Sequence, residues 1–252
     1  MKEFSVKIKP LTPIIWTGDA NRKCETLRET GIIGSLRWWY EALIRGLGGY
    51  ACDPTDSKCD GKNHCDACEL FGCNGWARKF RLEIEEQKEI ITLKFIELRE
   101  MTDVEWALLN KTLQIIDSYG ALGGKIAEPQ YGLIKIEQNK NDLEKYLFGK
   151  YNGELEKYFK KNGSNVENPN IKRFVSVSQK LNDGIVKDLK NNMPFLKGKL
   201  GKGKRYFYKT YNGKPYRLFM YAENDDEYEK IVGFLEKKSF SFKKGEVMLN
   251  DP

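Results

Sequence analysis

The sequence predicts an α+β chain of two ferredoxin-like βαββαβ units packed together, the second a degraded copy of the first. Two observations carry this. Segments with strand periodicity and segments with helix periodicity follow one another as β-α-β-β-α-β up to about residue 138. The same order returns, less regularly, after residue 140. A chain of 252 residues, 40% of them hydrophobic, can build one large core or two smaller ones. The predicted units are residues 1–140, with a cysteine-rich insertion at 50–75, and residues 141–252, with a basic loop at 186–205.

The elements of the first unit follow in order. Phe4, Val6 and Ile8 alternate with polar residues, so 3–9 reads as a strand. Residues 10–19 read as a loop. A helix is expected from Ser35 to about Leu47, with Ser35 as N-cap and Gly31 and Gly34 in the turn before it. Its core face is Leu36, Tyr40, Leu43, Ile44 and Leu47, bordered by Trp39; Arg37, Trp38, Glu41 and Arg45 lie off that face. Residues 77–87 and 91–101 read as strands joined by a turn at Gln87–Glu89. Thr102 or Asp103 caps a helix that ends at Gly120. A glycine-rich loop, SYGALGGKIAEPQYG, leads to a fourth strand, GLIKIEQ.

The second unit is less regular. Residues 142–161 read as helical, RFVSVSQ as a strand, and 184–202 as irregular and basic. KRYFYKTY and YRLFMYAE form a hairpin around NGKP. DDEYEKIVGFLEKK is an amphipathic helix, acidic at its start and basic at its end as the macrodipole favours, with Asp225 and Asp226 expected to help cap it. FKKGEVML reads as a final strand.

Charge narrows the function classes. Lys and Arg outnumber Asp and Glu by 43 to 36, a net +7 that suits nucleic-acid contact without requiring it. No apolar run approaches the roughly 18 residues of a membrane span, and the first residues lack the apolar stretch of a signal peptide, so a cytoplasmic protein without membrane partners is expected. No Walker loop, GxSxG or HExxH occurs, and no catalytic residue is assigned. The only histidine, His64, sits in the cysteine-rich insertion with no evident partner for acid–base work.

Five of the six cysteines, Cys52, Cys59, Cys65, Cys68 and Cys73, fall in that insertion; Cys24 stands apart. CDAC at 65–68 has the spacing that lets two thiolates share one Zn²⁺, and Cys52 and Cys59 are the candidates to complete a structural site. Free thiols and disulfides are the alternatives.

Three features point to RNA. At the expected helix start, Gly31, Gly34 and Ser35 would offer backbone N–H groups beside Arg37 and Trp38, a seat for phosphate. The alternative is a packed helix whose Arg37 pairs with a local carboxylate. The glycine-rich loop presents Lys125, and a compact fold could bring it near the Gly31–Arg37 turn. Residues 186–217 hold ten Lys/Arg against one acid, interleaved with aromatics. Lys197, Lys199, Lys202, Lys204 and Arg205 would attract phosphates and Tyr206 would stack on bases, unless the segment is a solvated loop leading into a packed hairpin.

The stretches TPIIWTGDA, ETGIIGSLRWWYEALIRGLGG and CELFGCNGWARKFRL resemble the RAMP superfamily of CRISPR proteins, and within it the first-subunit family of the Cmr (type III-B) RNA-silencing complex. The match covers at least residues 10–82, and SYGALGGKIAEPQYG fits the same family. The resemblance implies a non-catalytic, RNA-binding subunit near the 3′ end of the CRISPR guide RNA. Target single-stranded RNA and other Cmr subunits are the implied partners. Gly31, Gly34, Ser35 and Arg37 then correspond to the family's turn and its arginine, with Trp38 beside them and Lys125 in the glycine-rich loop. Arg45, off the core face, joins the RNA-contact candidates. The alternative is a metal-independent RAMP endoribonuclease that processes guide RNA.

Overall fold

The computed structural model describes residues 1–18, 26–55, 59–159, 168–177, 183–198, 203–212 and 214–251. Two four-stranded antiparallel sheets organise it. The first contains β1 (Glu3–Pro10), β2 (Phe80–Gln87), β3 (Ile90–Glu97) and β4 (Ile134–Asn141) in the order β2-β3-β1-β4. Helices α1 (Glu29–Gly46) and α3 (Asp103–Ser118) cover one face, and a short helix α2 (Asp66–Phe71) lies in the insertion. This is the ferredoxin-like arrangement expected. Phe4, Val6 and Ile8 of β1 turn toward the helices with Phe80, Leu82, Leu93 and Phe95. Thr102 caps α3 through a capping box with Glu105.

The opposite face of this sheet decides one functional question. Register aligns Ser5, Lys94 and Glu83 across three strands, and likewise Lys7, Thr92 and Glu85. No aromatic residue stands in these rows, so the face lacks the stacking platform with which RRM sheets hold bases.

After α4 (Asn152–Tyr158), the second sheet repeats the order: β5 (Phe174–Val177), β6 (Tyr206–Tyr211), β7 (Lys214–Tyr221) and β8 (Lys243–Lys244) run β6-β7-β5-β8. Helices α5 (Asp183–Asn192) and α6 (Asp225–Lys237) accompany it, and α7 (Gly245–Asn250) closes the described chain. Both sheet faces are covered. Val175, Val177, Leu218 and Met220 join Leu189, Ile231 and Leu235 in a core of their own. Phe174, Phe207 and Phe219 join the core of the first unit. Trp38 and Trp39 are the junction: Trp39 meets Phe174 and Phe219 at 5.6 Å, and Trp38 meets Phe174 at 5.9 Å and Tyr221 at 5.8 Å.

Four expectations need correction. Helix α1 begins at Glu29, so Gly31, Gly34 and Ser35 are helical, and Ser35 is not its N-cap. The segment 142–161 is two short 3-10 turns followed by α4. Part of 184–202 is a helix, α5, where irregular structure was expected. The last predicted strand shrinks to two residues and gives way to α7.

Candidate RNA interface and cysteine cluster

Gly31 is glycine because α1 lies directly on the 12–18 loop: a Cβ there would meet the Thr17 carbonyl at 2.2 Å. Gly34, one turn on, faces open space, with nothing within 4 Å of a Cβ. Ser35 accepts a 2.8 Å hydrogen bond from the Gly123 N–H, which ties α1 to the glycine-rich loop as the sequence suggested. The Gly124 N–H bonds the Trp16 carbonyl at 2.6 Å, and the Gly132 N–H bonds that of Ile14 at 2.7 Å. Gly123 has a φ of 97°, and a Cβ there would lie 2.6 Å from the Trp16 carbonyl, so both the backbone and the close approach call for glycine. The exposed Lys125 then places its ammonium 3.6 Å over the Trp16 ring. Trp16 lies parallel to Tyr131, 6.3 Å between centroids. Gly34, Gly124, Lys125, Trp16 and Tyr131 thus belong to one small region where α1 meets two loops. Trp16 and Tyr131 are the residues that sequence reasoning missed; WTGD and PQYG carried no periodicity to single them out.

A cleft of about 610 Å³ opens nearby, between the end of β1, the β2–β3 turn and the β6–β7 hairpin; Lys9, Lys88, Gln130 and Tyr211 line it. The hairpin is clamped to the glycine-rich loop. The Lys209 ammonium donates to the carbonyls of Ile126, Glu128 (3.0 Å) and Tyr131 (2.7 Å), and burial pushes its pKa down to about 7. Arg217 donates to the carbonyls of Gly120 at 2.8 Å and Asp117 at 2.9 Å, closing the C-terminal end of α3.

These bonds change the reading of the basic window. Arg205, Lys209 and Arg217 are buried. Arg205 donates to the Phe195 carbonyl at 2.9 Å and pairs with Glu227 at 2.6 Å. Tyr206 is half-buried against the second core, so its ring is packing more than platform. Lys197 and Lys204 are exposed, and Lys199 and Lys202 lie outside the described residues.

Arg37 is the largest correction. It sits more than two turns inside α1, away from that helix's N-terminus. Its guanidinium bonds Glu41 at 2.7 Å, the Gly72 carbonyl at 2.9 Å and the Cys68 sulfur at 3.2 Å. The local carboxylate pairing is the one realised. Burial opposes its charge, yet the Glu41 pair outweighs this and raises the Arg37 pKa. Arg45 is also internal: it donates to the carbonyls of Ala51 (3.1 Å), Pro169 (3.0 Å) and Cys52 (2.9 Å). Trp38 packs at the junction described above. Arg37, Trp38, Arg45, Arg205 and Tyr206 therefore all have hydrogen-bond or packing partners within the chain.

The insertion folds around sulfur. Cys52, Cys65 and Cys68 are buried and Cys59 is half-buried; their four sulfur atoms lie within 4.8 Å of one another. Burial and neighbouring thiols push the Cys68 thiol far up in the metal-free protein; the hydrogen bonds to Cys52 and Cys65 are the first cause. Cys24 is outside the described residues. His64 stacks on Trp76 at 4.3 Å, with Nε2 2.6 Å from a Glu69 oxygen and Nδ1 3.3 Å from the Asp60 carbonyl. No helix among the described residues is long and apolar enough to cross a membrane.

Comparison with known proteins agrees with this architecture. No curated protein matches the sequence. Among solved structures, the fold is similar to Cmr1 from Pyrococcus furiosus in its apo form, with a TM-score of 0.55 and 12% identity over 97% of this chain and 99% of that one. The RAMP superfamily model matches residues 7–127, a span that includes α1, the cysteine-rich insertion and the Gly123–Lys125 segment. Residues 7–127, just under half of the chain, are thus similar to the RAMP superfamily, and the two-sheet fold is similar to that of Cmr1.

Proposed function

We propose that the chain is a non-catalytic subunit of a type III-B (Cmr) RNA-silencing complex. It holds single-stranded RNA, guide near its 3′ end or target, on the surface where α1 meets the glycine-rich loop. One observation carries the reading. Gly34 lies within α1, where glycine costs about 1 kcal/mol relative to alanine, yet among the described residues no neighbour requires it. An external backbone passing close to the helix would require it. Beside it stand the exposed Lys125, whose ammonium lies over the Trp16 ring, and the half-buried rings of Trp16 and Tyr131, which suit phosphate and base respectively.

The second unit extends the path. The Lys209–loop clamp fixes one end of β6 to this surface, and Lys204 precedes the other end. Five residue steps of extended chain separate Lys204 from Lys209 by about 17 Å. Exposed Lys197 and Lys204 would follow the RNA backbone over that distance. Guide RNA, target RNA and neighbouring Cmr subunits are the partners of this reading.

Binding of a labelled single-stranded RNA, measured against salt without added metal, tests it. RNA should bind uncleaved. Lys125→Ala should flatten the log–log salt slope by about 0.7, and Trp16→Ala should cost about 1–3 kcal/mol at unchanged slope, each with a folded control. Variants that leave both affinity and slope untouched would refute the assignment. Specific cleavage of repeat-containing RNA would favour the endoribonuclease instead.

A further inference from the structure

We infer that Cys52, Cys59, Cys65 and Cys68 bind one structural Zn²⁺, and that Arg37 is the positioning residue outside that site. In a tetrahedral tetrathiolate, Zn–S bonds of about 2.3 Å set sulfur atoms about 3.8 Å apart. Here Cys52 and Cys68 sulfurs stand 3.6 Å apart, and all four lie within 4.8 Å. The spacing is too long for disulfides and already suits four bonds to a central ion.

The surroundings suit thiolates. The Cys65 sulfur accepts backbone N–H bonds from Cys52 at 3.3 Å and Cys68 at 3.4 Å. The second of these is also the N-cap of α2, so the CxxC turn is a knuckle built by the helix start. Arg37 brings a guanidinium to 3.2 Å from the Cys68 sulfur and 3.8 Å from that of Cys52. Four thiols binding Zn²⁺ release four protons and leave a net charge of −2 on the centre. Buried, that charge needs compensation: Arg37 and Arg45 share Glu41, the net single positive charge of the three offsets half of it, and Glu41 and the Gly72 carbonyl hold the Arg37 guanidinium in place. The site joins the 50–75 insertion, which has little apolar core of its own, to the body of α1. A second tie runs through Arg45, whose bonds to the Ala51 and Cys52 carbonyls fix the loop segment carrying the first ligand.

Metal analysis of the full chain purified from a zinc-supplied host should find one zinc per chain. Removing it with a strong chelator should lower the melting temperature, and added Zn²⁺ should restore it. Cys59→Ser changes the least buried ligand and should weaken zinc at least 100-fold. Cys73→Ser, outside the four, should keep full occupancy. Arg37→Met should weaken zinc about 10–100-fold with all four ligands in place. Should Cys59→Ser fail to fold, Co²⁺ titration of the wild-type apoprotein still decides, because tetrahedral cobalt thiolate has a visible spectrum that octahedral cobalt lacks. The inference is overturned by protein that binds neither metal, by melting indifferent to zinc and chelator, by thiol counting that finds the four paired as disulfides, or by equal zinc loss in Cys73→Ser.

Discussion

Replacing Arg37 with alanine separates two accounts of the sequence GSLRWW. The structure makes Arg37 an internal residue bonded to Glu41, the Gly72 carbonyl and the Cys68 sulfur. Alanine removes a charge-assisted bond to a carboxylate that is 3% exposed. Breaking a buried pair from one side costs about 3–5 kcal/mol, because the remaining charge has lost its partner. Here Arg45 stays 3.7 Å from Glu41 and softens the loss, which places the expected value near the lower end, about 3 kcal/mol. At about 2–4 °C per kcal/mol for a chain of this size, the melting temperature should fall by about 6–12 °C. Differential scanning calorimetry in zinc-replete buffer reads the shift, and RNA anisotropy below the transition reads binding. The folded variant should bind RNA within two-fold of wild type. A variant that melts within a degree of wild type but no longer binds RNA would refute the structural role and restore a phosphate seat at Arg37.

Two further perturbations probe other parts of the fold. Gly34→Ala should raise stability by about 0.5–1 kcal/mol, since it improves helix propensity without steric conflict, whereas Gly34→Glu should fold equally well and lose RNA affinity at least ten-fold; paired urea titrations and anisotropy would show this, and unchanged RNA binding by Gly34→Glu would count against the interface. Glu97 is held below its ordinary pKa: burial opposes the charge, but the backbone N–H groups of Met101 and Lys2 outweigh it at 2.9 and 3.0 Å. A depressed carboxylate contributes stability above its unfolded pKa near 4.5 and loses it as pH falls through the lower folded value. Glu97→Gln should therefore cost about 1–2 kcal/mol at pH 7, and the gap to wild type should close on acidification below pH 4.5; a gap that stays constant to pH 2 would contradict the linkage.

Periodicity made most of the first unit legible. Strand alternation in β1, the apolar faces of α1 and α3, and the Thr102–Glu105 cap are local signals, and the structure follows them. The start of α1 was not legible, because Gly31 and Gly34 read as breakers. Gly31 is there to let the helix touch Thr17, a contact 14 residues away that no local pattern encodes. Charge misled in the same way. The basic window 186–217 reads as surface, but Arg205, Lys209 and Arg217 find carbonyls and a carboxylate across the unit boundary or at the start of α6. A cation bonded to distant backbone is indistinguishable in sequence from one facing solvent. The cysteine cluster was half legible: CDAC announced two sulfurs, while Cys52 and Cys59 converge on them only through loop geometry.

The central claim is that RNA lies on the surface formed by α1 and the glycine-rich loop. Photo-crosslinking of a 4-thiouridine-bearing single-stranded RNA to the protein, followed by peptide mass spectrometry, tests it most directly. The account predicts cross-links at Trp16, Tyr131 and residues flanking Lys125, with a weaker set near Lys197 and Lys204, all competed by unlabelled RNA. Cross-links confined to the outer face of the first sheet, around Lys7 and Lys94, would contradict it.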